Sequence, residues 1–186
     1  VNLSLCEKVD VSNLNVQQIE VLDWMKNWDG SHHIANGQPV LYYRWLQLLI
    51  NAVYHDEFGD DYFKMFAAGH RLKGSYPIVF TDSKSPWWDD VNTPENETAK
   101  KICTETFEKA LEICNKDWGS SYNTWEWGDA HKLYFEHPIG KVKALSSTFN
   151  VGPIAAPGGN ETLNNAGIDL ISTKKINYAK FGPQMR

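Results

Sequence analysis

Three cysteines in 186 residues are too few for a disulfide framework. If Cys103 and Cys114 share a helix, their eleven-residue spacing holds them roughly 16 Å apart. Bonded Cα atoms must lie within about 7 Å, so free thiols are the simpler reading. Positive charge is also scarce. The formal net charge is −5 and the chain has no Lys/Arg block, which argues against nucleic acid or an anionic membrane as partner. No apolar run approaches the roughly 18 residues of a membrane span, and the N-terminus lacks a basic-then-apolar signal pattern. The chain is therefore expected to be cytosolic, or to have a targeting segment outside these residues. Phosphate loop, Gly-x-Ser-x-Gly elbow, Cys-x-x-Cys and His-Glu-x-x-His are all missing, as are internal repeats and low-complexity segments.

The composition that remains is that of a soluble globular chain, 42% hydrophobic and 22% charged, of one domain or two small ones. Eight tryptophans predict large buried anchors, or less often a surface for sugars or acyl groups. Helical periodicity runs over 15–28, with Asn13 or Asn15 as N-cap and Asp29-Gly30 as the stop. Residues 40–54 are apolar nearly all round, which predicts a helix buried on most faces and more protein around it than two layers supply. A short helix over 60–68, closed by Gly69, follows. Gly74, Pro77 and Pro86 make 71–92 read as a connection. A long helix is then expected, with Thr93 as N-cap and Pro94 at its first position. Glu97–Lys101, Glu105–Lys109 and Glu112–Lys116 would support it, each by about 0.2–0.5 kcal/mol. Ala99, Cys103, Phe107, Ala110 and Cys114 form its apolar face. Beyond Gly119 the texture changes to strand and loop. His131, Leu133 and Phe135 alternate with polar neighbours as in a half-buried strand, 150–167 reads as a long loop, and 173–181 alternates again.

The stretch Trp125–Pro138 gathers two tryptophans, two histidines and three carboxylates, the ingredients of an acid–base or metal site. A metal at His131 and His137 would need a third donor. On a strand the two histidines lie roughly 20 Å apart, so they share an ion only if the chain bends. Packed or surface histidines are the default reading. Asp56-Glu57-Phe58-Gly59-Asp60-Asp61 invites a calcium site but lacks the donor spacing of a calcium loop, and a solvated acidic turn explains it. His32-His33 beside Asp29 has no identifiable nucleophile. The triplets at Asn2, Asn96 and Asn160 match glycosylation acceptors and carry little weight. On these grounds no catalytic, cofactor-binding or metal residue is assigned.

Taken in order, however, several motifs resemble the penicillin amidase family of N-terminal-nucleophile hydrolases. They are Trp28-Asp29-Gly30, Trp87-Trp88-Asp89-Asp90, Trp125-Glu126-Trp127-Gly128-Asp129-Ala130-His131 and His137-Pro138-Ile139-Gly140. Phe149-Asn150-Val151-Gly152-Pro153 follows, with Pro157-Gly158, Thr162-Leu163-Asn164 and finally Phe181-Gly182-Pro183-Gln184-Met185-Arg186. The resemblance spans nearly the whole chain.

The resemblance implies an α+β fold, with a helical subdomain at 1–118 and a strand-and-loop segment at 119–186. The strands would belong to an Ntn-hydrolase αββα sandwich that is incomplete here. It also implies hydrolysis of N-acyl amides by a Ser, Thr or Cys at the start of a large β chain, whose free α-amine serves as base. Val1 cannot be that nucleophile, and the oxyanion-hole Asn would precede residue 1. The chain would thus be an interior piece of the β chain, inactive alone and without cofactor. Its partners would be the rest of the same precursor and a small N-acyl amide, and the location periplasmic or secreted. Unpaired strand edges and an uncovered 40–54 helix would favour self-association. The alternatives are a non-catalytic ligand-binding or structural module with a Trp-rich surface, and a metal-dependent hydrolase using His131 and His137.

Overall fold

The computed structural model describes residues 4–68, 70–160, 162–164 and 166–176. A single helical turn, α1 (Leu5–Lys8), leads into α2 (Val16–Lys26). Asn15 caps α2 through a reciprocal box: its Oδ1 accepts from Gln18 N at 2.9 Å, while Gln18 Oε1 accepts from Asn15 N at 2.8 Å. Val21, Leu22 and Met25 are the buried face. The helix stops at Lys26, and Trp28 then turns inward, its Nε1 donating to Ser31 O at 2.9 Å.

The centre of the fold is α3 (Gln38–Ala67), with Pro39 in its first turn, where a missing N–H costs nothing. Its first half is buried over most of its circumference, as the apolar run predicts, with Leu48, Asn51 and Ala52 half-buried. The expectation that this half is left bare is corrected. Val40, Leu41, Leu49, Ile50, Val53 and Tyr54 have no exposure, because α4 (His70–Thr81) and α5 (Ala99–Trp118) pack on it from within the chain. The separate helix expected at 60–68 is instead the continuation of α3 beyond a kink. Gly59, at φ 63° and ψ 175°, holds a conformation open essentially to glycine alone. The acidic cluster sits at this bend rather than in a turn between helices. Asp60 pairs with His55 Nε2 at 2.7 Å, and Asp56 Oδ2 accepts from Val91 N at 3.1 Å.

Two corrections concern the middle of the chain. Residues 70–81, read as connection, form α4 despite Gly74 and Pro77. Leu72, Tyr76, Val79 and Phe80 make a helical stripe, and burying it outweighs the proline's lost hydrogen bond. Next, a short 3₁₀ turn (Pro86–Trp88) seats Trp88, whose Nε1 donates to Asp82 O at 2.8 Å. The N-cap of α5 is Thr98, not Thr93. Thr93 Oγ1 donates instead to the Glu97 carboxylate at 3.0 Å, Glu97 also accepts from Asp90 N, and Asp89 accepts from Glu97 N. That closed loop keeps 93–97, including Asn96, out of the helix. Of the three Glu–Lys pairs, Glu97–Lys101 forms at 3.4 Å, whereas Lys109 pairs with Glu112 at 2.7 Å. The apolar face of α5 is the expected one, and Gly119 ends the helix at φ 95°.

A turn of helix, α6 (Trp127–Ala130), precedes β1 (Lys132–Phe135), α7 (Ser146–Phe149) and β2 (Val151–Ala155). The two strands pair antiparallel, Lys132 opposite Ala155 and Leu133 opposite Ile154, with an irregularity before Phe135. The fold class is α+β in the coarse sense: mostly helical with a small two-stranded sheet. The loop expected over 150–167 thus contains a strand, and the predicted in–out alternation of β1 does not appear as burial, since Tyr134 and Phe135 are both exposed. Residues 173–176 are not in a strand. The rest of that predicted strand lies outside the described residues, with Val1, the Asn2 triplet, Glu161, the Gly69 cap and Phe181–Arg186.

Candidate functional site: an aromatic–histidine cluster beneath the 156–170 loop

Two of the motif-bearing segments, 125–131 and 157–158, meet in space at α6. The backbone N–H groups that open this short helix have no partners within it, and the 31–37 loop supplies them: Asn36 O accepts from Trp127 N at 2.8 Å and Ile34 O from Gly128 N at 2.7 Å. Trp127 is thereby driven into the core, fully buried. Its ring stacks on Tyr43 of α3 at 5.1 Å and on His131 at 4.6 Å, and His32 meets its edge at 6.3 Å. Its Nε1 donates to Gly158 O at 2.7 Å. Aromatic stacks of this kind add about 0.5–1.5 kcal/mol beyond burial.

His131 is the most constrained polar group of the cluster. It has no solvent exposure, and both ring nitrogens face backbone carbonyls, Nδ1 at 2.7 Å from Ala156 O and Nε2 at 2.5 Å from Ala166 O. Burial holds its pKa below the ordinary value, with the two carbonyls opposing that shift. Both ring nitrogens are shut off by backbone carbonyls, so neither is open to a metal or a substrate. His137, by contrast, is exposed and caps a 3₁₀ turn (Pro138–Lys141), its Nδ1 accepting from Ile139 N at 3.2 Å. Among the described residues, no group of three His, Cys, Asp or Glu side chains is arranged to hold a metal ion.

The loop itself is tied down by small polar side chains. Thr162 Oγ1 accepts from Gly159 N at 2.9 Å and reaches Asn164 O at 2.7 Å, while Asn164 Nδ2 donates to Pro157 O at 2.7 Å. Gly158 N donates to His32 O at 2.9 Å, and Asn160 N to Tyr43 Oη at 2.8 Å. Gly159 allows this approach, since a Cβ there would overlap the Tyr43 hydroxyl. A second tie lies at the far end of the sheet. Asn150 accepts from His137 N at 2.9 Å and donates to Tyr134 Oη at 2.9 Å.

A polar pocket of about 350 Å³ opens beside the cluster, lined by Asp29, His32, Tyr42, Tyr43, Tyr76, Asn160 and Thr162 among others. His32 Nδ1 bonds Gly30 O at 2.8 Å, and its buried Nε2 has no hydrogen-bond partner among the described residues. Burial lowers its pKa, with the Gly30 carbonyl opposing. Among the described residues no hydroxyl or thiol is hydrogen-bonded to that nitrogen. The cysteines are inert. Burial pushes the Cys6 thiol up to about 11 and those of Cys103 and Cys114 to about 12. The Trp-rich surface is corrected outright: Trp28, Trp45, Trp88, Trp125 and Trp127 are buried, and Trp24, Trp87 and Trp118 pack against the core.

Trp127, His131, Gly158, Thr162 and Asn164, all of them motif residues, make packing or loop-tying contacts in one region. The penicillin amidase family matches residues 3–186. The chain belongs to that family. Curated relatives include the acyl-homoserine lactone acylase QuiP of Pseudomonas putida, 27% identical over 149 residues, which cover 77% of this chain and 18% of the relative. QuiP of Pseudomonas aeruginosa is 25% identical over 162 residues, 78% of this chain and 19% of the relative. QuiP of Pseudomonas fluorescens is 26% identical over 144 residues, 75% and 17% respectively. The chain spans less than a fifth of the length of these relatives. Sequence reasoning found the motif residues but not the contact between Trp127 and Gly158. The alternation around His131 suggested a strand face, whereas the ring is clamped by two carbonyls from a loop no local pattern could position.

Proposed function

We propose that the chain is part of an amidohydrolase that cleaves N-acyl amides through an N-terminal Ser nucleophile outside these residues. The family match over residues 3–186 carries this reading. A scaffold role for this piece is supported by two features: His131 is buried between two carbonyls, and the three thiols are buried. In this reading 1–118 is the helical subdomain and 119–186 contributes to an αββα sandwich completed by the rest of the precursor. The exposed Phe135, Val142, Val151 and Ile154 of the sheet region are suited to being covered by that remainder. No helix among the described residues is long and apolar enough to cross a membrane, and a periplasmic or secreted location is part of the proposal.

The test uses two polypeptides. The purified 186-residue chain is expected to show no turnover and no acyl-enzyme with phenylacetyl amides, fatty-acyl amides or acyl-homoserine lactones, the last chosen from the relatives' activity. A longer polypeptide containing it is expected to hydrolyse at least one of these. Turnover by the 186-residue chain would refute the placement of the nucleophile, and an inert longer polypeptide would refute the activity.

A further inference from the structure

Away from the cluster, a groove of about 440 Å³ runs between α3 and α5 and is bounded at one side by 171–173. Its volume falls within the range of small-molecule clefts. The walls are largely apolar, with Leu48, Ala52, Ile113 and Ile171 lining it. Into it faces Arg44, only 3% exposed. The guanidinium carries five N–H donors, and one of its nitrogens, Nη2, donates to Lys174 O at 2.6 Å. Among the described residues that is its single hydrogen bond, and it stands in no ion pair. Asp117 is the acid whose charge reaches it, without a hydrogen bond. The other ionic side chains of the groove are Glu105 and Lys109, both exposed at the rim, with Lys109 bonded to Glu112 at 2.7 Å.

A buried cation without a counter-ion is unfavourable, and an anion that reaches it while leaving the walls dry relieves that cost. A planar guanidinium with free donors matches a carboxylate's two oxygens. From Arg44 to Ala52 the helix rises about 12 Å, which gives a medium-length aliphatic tail a track along the apolar wall. We propose that this groove binds a monocarboxylate with an unbranched aliphatic tail. The carboxylate sits on the Arg44 guanidinium and the tail lies along Leu48, Ala52, Ile113 and Ile171. The inference stands on the groove alone and does not depend on the amidase reading.

The experiment is isothermal titration of the purified chain with octanoate, hexanoate, octanol and octylamine, repeated on Arg44→Met and on Ile113→Trp. Far-UV circular dichroism checks that each variant is folded. Octanoate is expected to bind saturably at one site, and octanol and octylamine at least tenfold more weakly. Hexanoate should bind roughly 15-fold more weakly than octanoate, about fourfold per methylene removed. Arg44→Met is expected to weaken octanoate at least tenfold, and Ile113→Trp, which fills the groove from its half-exposed side, to abolish binding. Absence of saturable octanoate binding, octylamine binding as tightly as octanoate, or a folded Arg44→Met that binds like the parent would each overturn the proposal. If Arg44→Met does not fold, unchanged octanoate binding by Ile113→Trp overturns it instead.

Discussion

Replacing His131 by Phe separates the two jobs its ring performs. A phenyl ring keeps the volume and the stack on Trp127, which is 4.6 Å away and 10° from parallel. It removes both polar contacts and leaves whichever of Ala156 O and Ala166 O accepts the ring N–H without that donor, in a site with no solvent exposure. A buried carbonyl stripped of its donor costs about 1–3 kcal/mol, and a neutral imidazole has one N–H, so that is the expected loss. The assay is urea unfolding followed by tryptophan fluorescence, with a slope of about 2 kcal/mol per molar for a domain of this class. The midpoint should then drop by about 0.5–1.5 M. His137→Ala, at an exposed position, should stay within about 0.5 kcal/mol of the parent. A His131→Phe midpoint equal to that of His137→Ala would show that the carbonyls find other donors and that the clamp contributes nothing.

Three further outcomes are expected. Cys6, Cys103 and Cys114, all buried, should resist a thiol reagent in the native chain and react, three equivalents, only in denaturant; fast native labelling would contradict their burial. Gly59→Ala should lose about 1–3 kcal/mol through backbone strain alone, since a Cβ there meets nothing within 4 Å; an unchanged urea midpoint would mean that the kink relaxes. Stability should fall as pH drops below about 6.5, the ordinary value of His32, because burial lowers its folded-state pKa and the unfolded chain then binds the extra proton. His32→Phe should flatten that slope in urea midpoints taken between pH 7.5 and 5.5, and a midpoint that rises on acidification would reverse the assigned sign.

The elements legible in advance are those whose signals are local. The α5 face from Ala99 to Cys114 and the Asn15 cap each depend on neighbours within one or two turns, and both appear as read. The misreadings arise where a distant contact competes with a local preference. Thr93 is a good cap by residue type, but the Glu97 carboxylate captures its hydroxyl. Pro77 argues against a helix, yet Leu72, Tyr76, Val79 and Phe80 gain more from burial than one missing hydrogen bond costs. That stripe was present in the sequence and was the signal that would have found α4. The clamp on His131 had no such signal, because its partners lie 25 and 35 residues away and are backbone carbonyls, whose position carries no side-chain signature.

In the proposed reading, the motif residues identify the family through packing and loop contacts and not through its reaction. Trp127 donates to Gly158 O and Asn164 to Pro157 O, both contacts between motifs, while His131, Thr162 and the Gly128 N–H are held by backbone groups of residues between the motifs. Such residues are constrained by folding as strictly as a catalytic group is by chemistry, and only a per-molecule measurement tells the two apart. In a longer, active polypeptide, His131→Phe should lower the folded fraction and the total activity in the same proportion. The kcat of the molecules that remain folded, counted by active-site titration, should match the parent. A kcat reduced tenfold or more at full folding would place His131 in the reaction itself, and the geometry of two carbonyl-bound nitrogens would then have to change on substrate binding.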